Sequence, residues 1–325
     1  MVLAMLAMLA MFAVLAMFAV LAALAGCGGR GATVCLMPRA SGPSCSWQDL
    51  VLASQCGGDD GSVAYRSSTA AEQAAERALF EALLRAQSAD LPPLAPRAAA
   101  IGLRLVPCGD TAVLVEDDAA RRGRGAYVVS LAPSPAPLLV QIPHTFSDRY
   151  TLPLGRELFA ASRARAIAFS TLHRRGAAGY GDSDTRVPPR GHADVAHDAE
   201  STFQSFTLAW VAVHPADLVV QLHGFADRRV DADLVVSPGT KTPAPPWARS
   251  VRDQLRRLLP GRGIAVYPDD VDDLGATTNA QGRAVRAAAG RFLHVEMSFT
   301  LRESLRRRAG DRSRFIAGLA RALLP

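Results

Sequence analysis

LVVQLHGFAD, Leu218 to Asp227, decides the fold. Leu218, Val219, Val220 and Leu222 are apolar, with only Gln221 between them, which is the composition of a strand covered on both faces. The run ends in His223-Gly224. A glycine there permits a tight turn or a close approach by another group. His223 is therefore expected at the carboxyl end of a central strand, the edge where open α/β sheets bind ligands. Working outward, PLLVQIPH (Pro137–His144) ends in the same way, with Asp148 four residues on, and RFLHVEM (Arg291–Met297) carries Glu296 near its end. Three strand-like runs thus each deliver a metal-competent or acid/base side chain at or near the carboxyl end. They are read as one site.

Around these runs, strands alternate with helical segments. Leu154–Ala168 is helical at first and then a strand ending near Phe169. Asp194–Trp210, Val251–Leu259 and Asp311–Leu324 read as helices, and Ile264–Tyr267 as a short strand. Arg174–Arg190, Ser237–Trp247 and Leu274–Arg283 read as loops. The class is α/β, with a mixed, mostly parallel central sheet and helices on both faces, over residues 138–325. Residues 46–137 form a small N-terminal α+β addition whose sheet is expected to continue into the next part. Its clearest element is the helix Thr69–Ala89, with Ala75, Leu79, Leu83 and Ala86 on one face. Strands are expected near 101–106, 111–116 and 126–131.

The first 26 residues carry no charge and end in Leu24-Ala25-Gly26, directly before Cys27. Small residues before a Cys after an apolar run resemble a bacterial lipoprotein signal, which implies cleavage before Cys27 and lipidation of its thiol. Such a signal usually opens with a basic segment, and this one does not. An uncleaved membrane span is the rival, because the run is long enough to cross a bilayer. Residues 27–45 are then a tether, and the rest faces the periplasm or exterior of a bacterial cell envelope. Four further cysteines, Cys35, Cys45, Cys56 and Cys108, suit two disulfides in an oxidising compartment, with three possible pairings.

Nearly half the residues are apolar, so the chain is globular and not disordered. The net charge of +6 comes almost wholly from arginines scattered among Asp and Glu, with Lys241 the only lysine. Scattered arginine with little aromatic interleaving argues against a nucleic-acid partner.

Taken in order, PHTFSD, DVAHD, VVQLHGF, TTNAQGR and HVEMSFTLR resemble motifs of the zinc carboxypeptidase-like hydrolases, closest to the N-formylglutamate amidohydrolase and poly-γ-glutamate hydrolase branches. The resemblance spans roughly residues 138–308. It implies a single Zn²⁺ held by His144, Asp148 and His223, with Glu296 as general base. It also implies a small peptide or acylated amino acid as substrate, cut at an amide bond next to a carboxylate. Two imidazoles and a carboxylate suit a catalytic zinc, which needs one open position. A Glu with a raised pKa suits proton transfer from water to the leaving amine.

The chain departs from the family pattern twice. The acid of the first motif is usually a Glu three residues after the His, whereas Asp148 stands at four. An Asn-Arg pair is often found where this chain has Ala196-His197. His197, Arg283 and Asn279 are the candidates for gripping an acidic substrate group, and His173 for lining the site. Plainer readings stay open at this stage. The histidines are core residues with satisfied hydrogen bonds, Glu296 pairs with Arg302 or His294, or the protein is a non-catalytic envelope lipoprotein binding a peptide or cell-wall fragment.

Overall fold

The alternating runs assemble into a nine-stranded sheet in a computed structural model that describes residues 45–58, 63–176 and 193–324. The strands are β1 (Leu103–Cys108), β2 (Thr111–Glu116), β3 (Ala126–Ser130), β4 (Ala136–Ile142), β5 (Ala164–Phe169), β6 (Leu218–Phe225), β7 (Leu234–Ser237), β8 (Ile264–Val266) and β9 (Arg291–Ser298). Their order across the sheet is β1-β2-β3-β5-β4-β6-β9-β7-β8. The central neighbours β5, β4, β6 and β9 are parallel, as are β7 and β8. The antiparallel ladders are β1-β2, β2-β3, β3-β5 and β7-β9. The mixed α/β sheet expected from the sequence is present, with its parallel character concentrated at the centre.

The helices are α1 (Trp47–Ser54), α2 (Ala70–Arg85), α3 (Ala95–Ala100), α4 (Thr151–Ser162), α5 (Thr202–Val213), α6 (Pro246–Leu258), α7 (Ala280–Ala287), α8 (Phe299–Arg307) and α9 (Ala309–Leu323). One sheet face packs against α1, α4, α6, α8 and α9, through residues such as Leu50, Leu158, Val251, Leu301 and Phe315. The other packs against α2, α3, α5 and α7, through Phe80, Ala98, Phe206 and Val285. Thr69 caps α2 in a reciprocal box with Glu72, which satisfies two otherwise orphaned backbone donors. β3 pairs with β5, and Phe80, Tyr127 and Phe206 stack together, so residues before and after 137 share one sheet and one core.

Side-chain alternation along the central strands sets up the site. Leu138, Val140 and Ile142 of β4, Leu218, Val220 and Leu222 of β6, and Leu293, Val295 and Met297 of β9 all fill the first core. The opposite face begins apolar, with Leu139, Val219 and Phe292 in register. It then turns polar with Gln141, Gln221 and His294, and ends with His223 opposite Glu296. Two expectations are corrected here. The helix expected from Asp194 starts only at Thr202, because the Asp194 carbonyl closes a turn by accepting from the backbone N–H groups of His197 and Asp198. The polar segment Leu274–Arg283 is a loop only as far as Asn279, which caps α7.

Cys45 is bonded to Cys108 at the end of β1, and Cys56 is also disulfide-bonded. Cys35, Cys27, the proposed signal and the tether up to residue 44 lie outside the described residues, as does most of the 174–190 loop. Among the described residues no helix is long and apolar enough to cross a membrane.

Candidate metal centre

β4 ends at Ile142, and the chain turns at once. The Asp148 N–H donates to the His144 carbonyl at 2.9 Å, so one tight turn places both side chains on the same side. This turn answers the unusual spacing of four: the extra residue is taken up by an i→i+4 backbone bond, and the shorter carboxylate still reaches. Asp148 is buried and its carbonyl accepts from the Thr151 hydroxyl at 2.7 Å, which anchors the turn to the start of α4. His223 arrives from β6, one strand over.

The three side chains converge. His144 Nδ1 lies 3.1 Å from His223 Nδ1, and each nitrogen lies 3.3 Å from Asp148 Oδ2. A tetrahedral cation with ligands at 2.0–2.2 Å requires ligand atoms about 3.3–3.6 Å apart, so the triangle is close to the required size. The outer nitrogens are already engaged. His144 Nε2 donates to Asp194 Oδ1 at 2.9 Å, and His223 Nε2 lies 3.1 Å from Gln221 Oε1. With both Nε2 atoms protonated, two lone pairs and a carboxylate oxygen face one another. Three acceptors at this range need a positive charge between them, and the chemistry of a divalent cation fits.

Without a metal the charge is a proton. Burial alone would lower the His144 pKa, but the Asp194 and Asp148 carboxylates outweigh it and raise the imidazole to about 9. Burial and the neighbouring His144 charge hold His223 down at about 4, despite the opposing pull of Asp148. Asp148 and Asp194 are buried, which would raise them, yet the facing imidazoles keep both well below the usual carboxylate range.

Glu296 stands beside the triangle, paired in register with His223. Burial, reinforced by the Asp148 charge, pushes its carboxyl up to about 8. Its Oε1 is 3.7 Å from His294 Nε2, and its Oε2 is buried with no hydrogen-bond partner among the described residues. His223, His294 and Glu296 lie close enough together to form a second candidate ligand group that shares His223.

Arg302, which the sequence offered as a partner for Glu296, does something else. Its buried guanidinium donates to the carbonyls of Met297 (3.1 Å), Arg149 (2.6 Å) and Phe225 (3.2 Å). Two of these carbonyls directly follow Asp148 and Glu296, and the third lies two residues past His223. Gly224 is required by that clamp: a Cβ there would overlap the guanidinium. Gly224→Ala is expected to lower stability by about 1–3 kcal/mol, the usual cost of overpacking a filled core, measured by denaturant unfolding.

The remaining sequence candidates fall in different places. His197 is 45 % exposed, with Nδ1 at 3.3 Å from Asp194 Oδ1 and Nε2 at 3.3 Å from the Thr278 hydroxyl. His173 lies next to the His144–Asp148 turn, its Nε2 3.4 Å from the Ser147 hydroxyl. Asn279 is buried and both ends of its amide are used internally: Oδ1 accepts from the Gly282 N–H, and Nδ2 donates to Gln221. That corrects its reading as a substrate grip. Arg283 is exposed on α7 and makes no side-chain hydrogen bond or ion pair among the described residues. Sequence reasoning missed Asp194 and Gln221 as site residues. The signal for Gln221 was present, since VQI and VQL place a glutamine at the same point of two otherwise apolar strands.

Comparison with solved structures returns hydrolases of related kinds. The chain is similar to a bacteriophage poly-gamma-glutamate hydrolase (14% identity, 58% of this chain and 83% of that one, TM-score 0.36). It is also similar to N-formylglutamate amidohydrolase from Ralstonia eutropha JMP134 (16% identity, 61% and 97%, TM-score 0.35). A third is metallo-carboxypeptidase from Burkholderia cenocepacia (15% identity, 68% and 63%, TM-score 0.38). No protein-family model and no curated protein matches the chain. At such identities and scores the likeness assigns no chemistry, which rests on the donor set.

Proposed function

We propose that the protein is a zinc-dependent hydrolase of an amide bond next to a carboxylate, acting on small peptides or acylated amino acids from a lipid-anchored position in a bacterial cell envelope. One observation carries the catalytic reading: three buried acceptors converge at cation-binding range, with a pKa-raised carboxylate beside them. The ordered motifs support the substrate class, and the Leu24-Ala25-Gly26-Cys27 series supports the anchor.

His144, Asp148 and His223 would hold the metal. A divalent cation there supplies Lewis acidity, polarising a carbonyl and making a water more acidic. Asp194 grips His144 from behind and keeps its Nδ1 directed at the triangle. Glu296 Oε2, free of internal hydrogen bonds among the described residues, takes a proton from the attacking water and delivers it to the leaving nitrogen. A carboxyl poised near neutrality can serve in both directions. His197, exposed and tied to Asp194, stands where it can meet the substrate.

The test is metal content and amidase activity of the chain from residue 28 onward. About one zinc per chain is expected, with loss of both metal and activity in His223→Ala. Unchanged zinc content in His144→Ala/His223→Ala defeats the proposal, and bound zinc with no turnover on any acylated amino acid or peptide favours a binding lipoprotein. Asp194→Asn, which removes the charge behind His144, is expected to weaken zinc binding by about 10–100-fold, read by chelator competition.

A further inference from the structure

Beneath the metal triangle lies a buried chain of amides that the catalytic reading does not use. Gln221 is fully buried in the middle of β6. Its Nε2 lies 2.8 Å from Gln141 Oε1 and 3.1 Å from Gln281 Oε1, and its Oε1 lies 2.8 Å from Asn279 Nδ2 and 3.1 Å from His223 Nε2.

The direction of this chain is fixed by backbone groups of unambiguous polarity. The Val195 carbonyl can only accept, so the group 2.9 Å from it on Gln281 is the NH₂, which leaves Gln281 Oε1 facing Gln221. The Thr207 hydroxyl donates to the Phe203 carbonyl and so accepts from the Gln141 NH₂, leaving Gln141 Oε1 facing Gln221 as well. The Gly282 N–H can only donate, so it meets Asn279 Oδ1 and leaves the Asn279 NH₂ for Gln221. Three independent anchors therefore agree that the Gln221 NH₂ faces Gln141 and Gln281 and that its carbonyl oxygen faces His223.

The geometry points to Gln221 as a positioning residue. It fixes His223 with the proton on Nε2 and the lone pair of Nδ1 aimed at His144 and Asp148, as a neutral counterpart to the carboxylate behind His144. A flipped amide would present an NH₂ to Nε2 and pull the lone pair to the wrong side of the ring. The ladder through Gln281, Gln141 and Asn279 opposes that flip, because each of its members would then meet a like group. The inference rests on the metal-site reading above.

Two substitutions separate positioning from simple stability. Gln221→Met fills the space but cannot accept from His223. Gln221→Glu keeps the acceptor toward His223 and Asn279 while losing the donors toward Gln141 and Gln281. Both break the ladder, and only the first breaks the hold on His223. Zinc affinity by chelator competition is expected to fall by about 10–100-fold in Gln221→Met and to stay at or above the parent level in Gln221→Glu, whose side chain is at least as strong an acceptor toward His223. Parent-like affinity in Gln221→Met, or an equal fall in both variants, overturns the inference. Long-range ¹H–¹⁵N spectra of the zinc-free parent give a readout that needs neither metal nor a folded variant. A His223 proton on Nε2 supports the assignment, and a proton on Nδ1 overturns it. A parent that binds no zinc defeats the hydrolase reading instead, and the spectra still report on Gln221.

Discussion

Glu296→Gln is expected to lower kcat by about 10²–10⁴-fold, the usual worth of a general base, and to leave zinc content at the parent level. The substitution keeps shape and volume but cannot accept a proton. Glu296 lies outside the His144–Asp148–His223 triangle, so an ion held there is expected to stay; loss of zinc in the variant would point instead to the second group, His223, His294 and Glu296. Its Oε1 faces His294 Nε2 at 3.7 Å, while Oε2, buried and without a hydrogen-bond partner among the described residues, is left for proton transfer. The variant also removes a buried ionisable group with a raised pKa, so its stability at neutral pH should not fall. The checks are single-turnover kinetics, metal analysis and unfolding. Turnover within about threefold of the parent, accompanied by a loss of stability, would show that Glu296 serves only a structural pairing with His294.

The affinity for zinc is expected to rise steeply with pH. Between about 4, where His223 titrates, and about 9, where His144 does, the metal-free site holds one proton on His144. A cation must displace that proton to use the Nδ1 lone pair. Binding therefore releases at least one proton per ion, joined below about 8 by any that the ion drives off Glu296, and the apparent Kd falls by about tenfold or more per pH unit, or about 10³-fold or more between pH 5 and 8. Above about 9 no proton remains to be displaced and the affinity levels off. Below about 4 two protons are displaced and the dependence doubles in slope. Chelator competition across this range measures the slope, and calorimetry in buffers of different ionisation enthalpy counts the protons. A flat profile between pH 5 and 8 would mean that His144 is not a ligand.

Much of the site was legible in the sequence because strand alternation is a strict code. His223 and Glu296 both end apolar strands of parity that places them on one face, and the observed register sets them opposite each other. His144 and Asp148 were legible as a pair, but the turn that joins them was not, because an i→i+4 backbone bond leaves no signature in TFS. The role of Asp194 was hidden by distance along the chain: fifty residues separate it from His144, and only the fold brings them together. Asn279 was misread because an N-cap and a substrate grip draw on the same side chain, and the helix it caps is short, with a glycine and two arginines among its eight residues. β7 escaped notice because four residues give alternation too little length to show.

The antiparallel seam between β3 and β5 has a practical consequence. A shortened chain beginning at Leu138 would keep every residue of the proposed metal site but would leave β5, ARAIAF, as an uncovered border of the sheet with open backbone donors and acceptors. Its alanines give little steric protection and Arg165 is its only charge, so neighbouring molecules would be free to add strands there and self-associate. Residues 45–137 therefore act as a sealing flank, and the part that carries the proposed metal site should stay soluble only in their company.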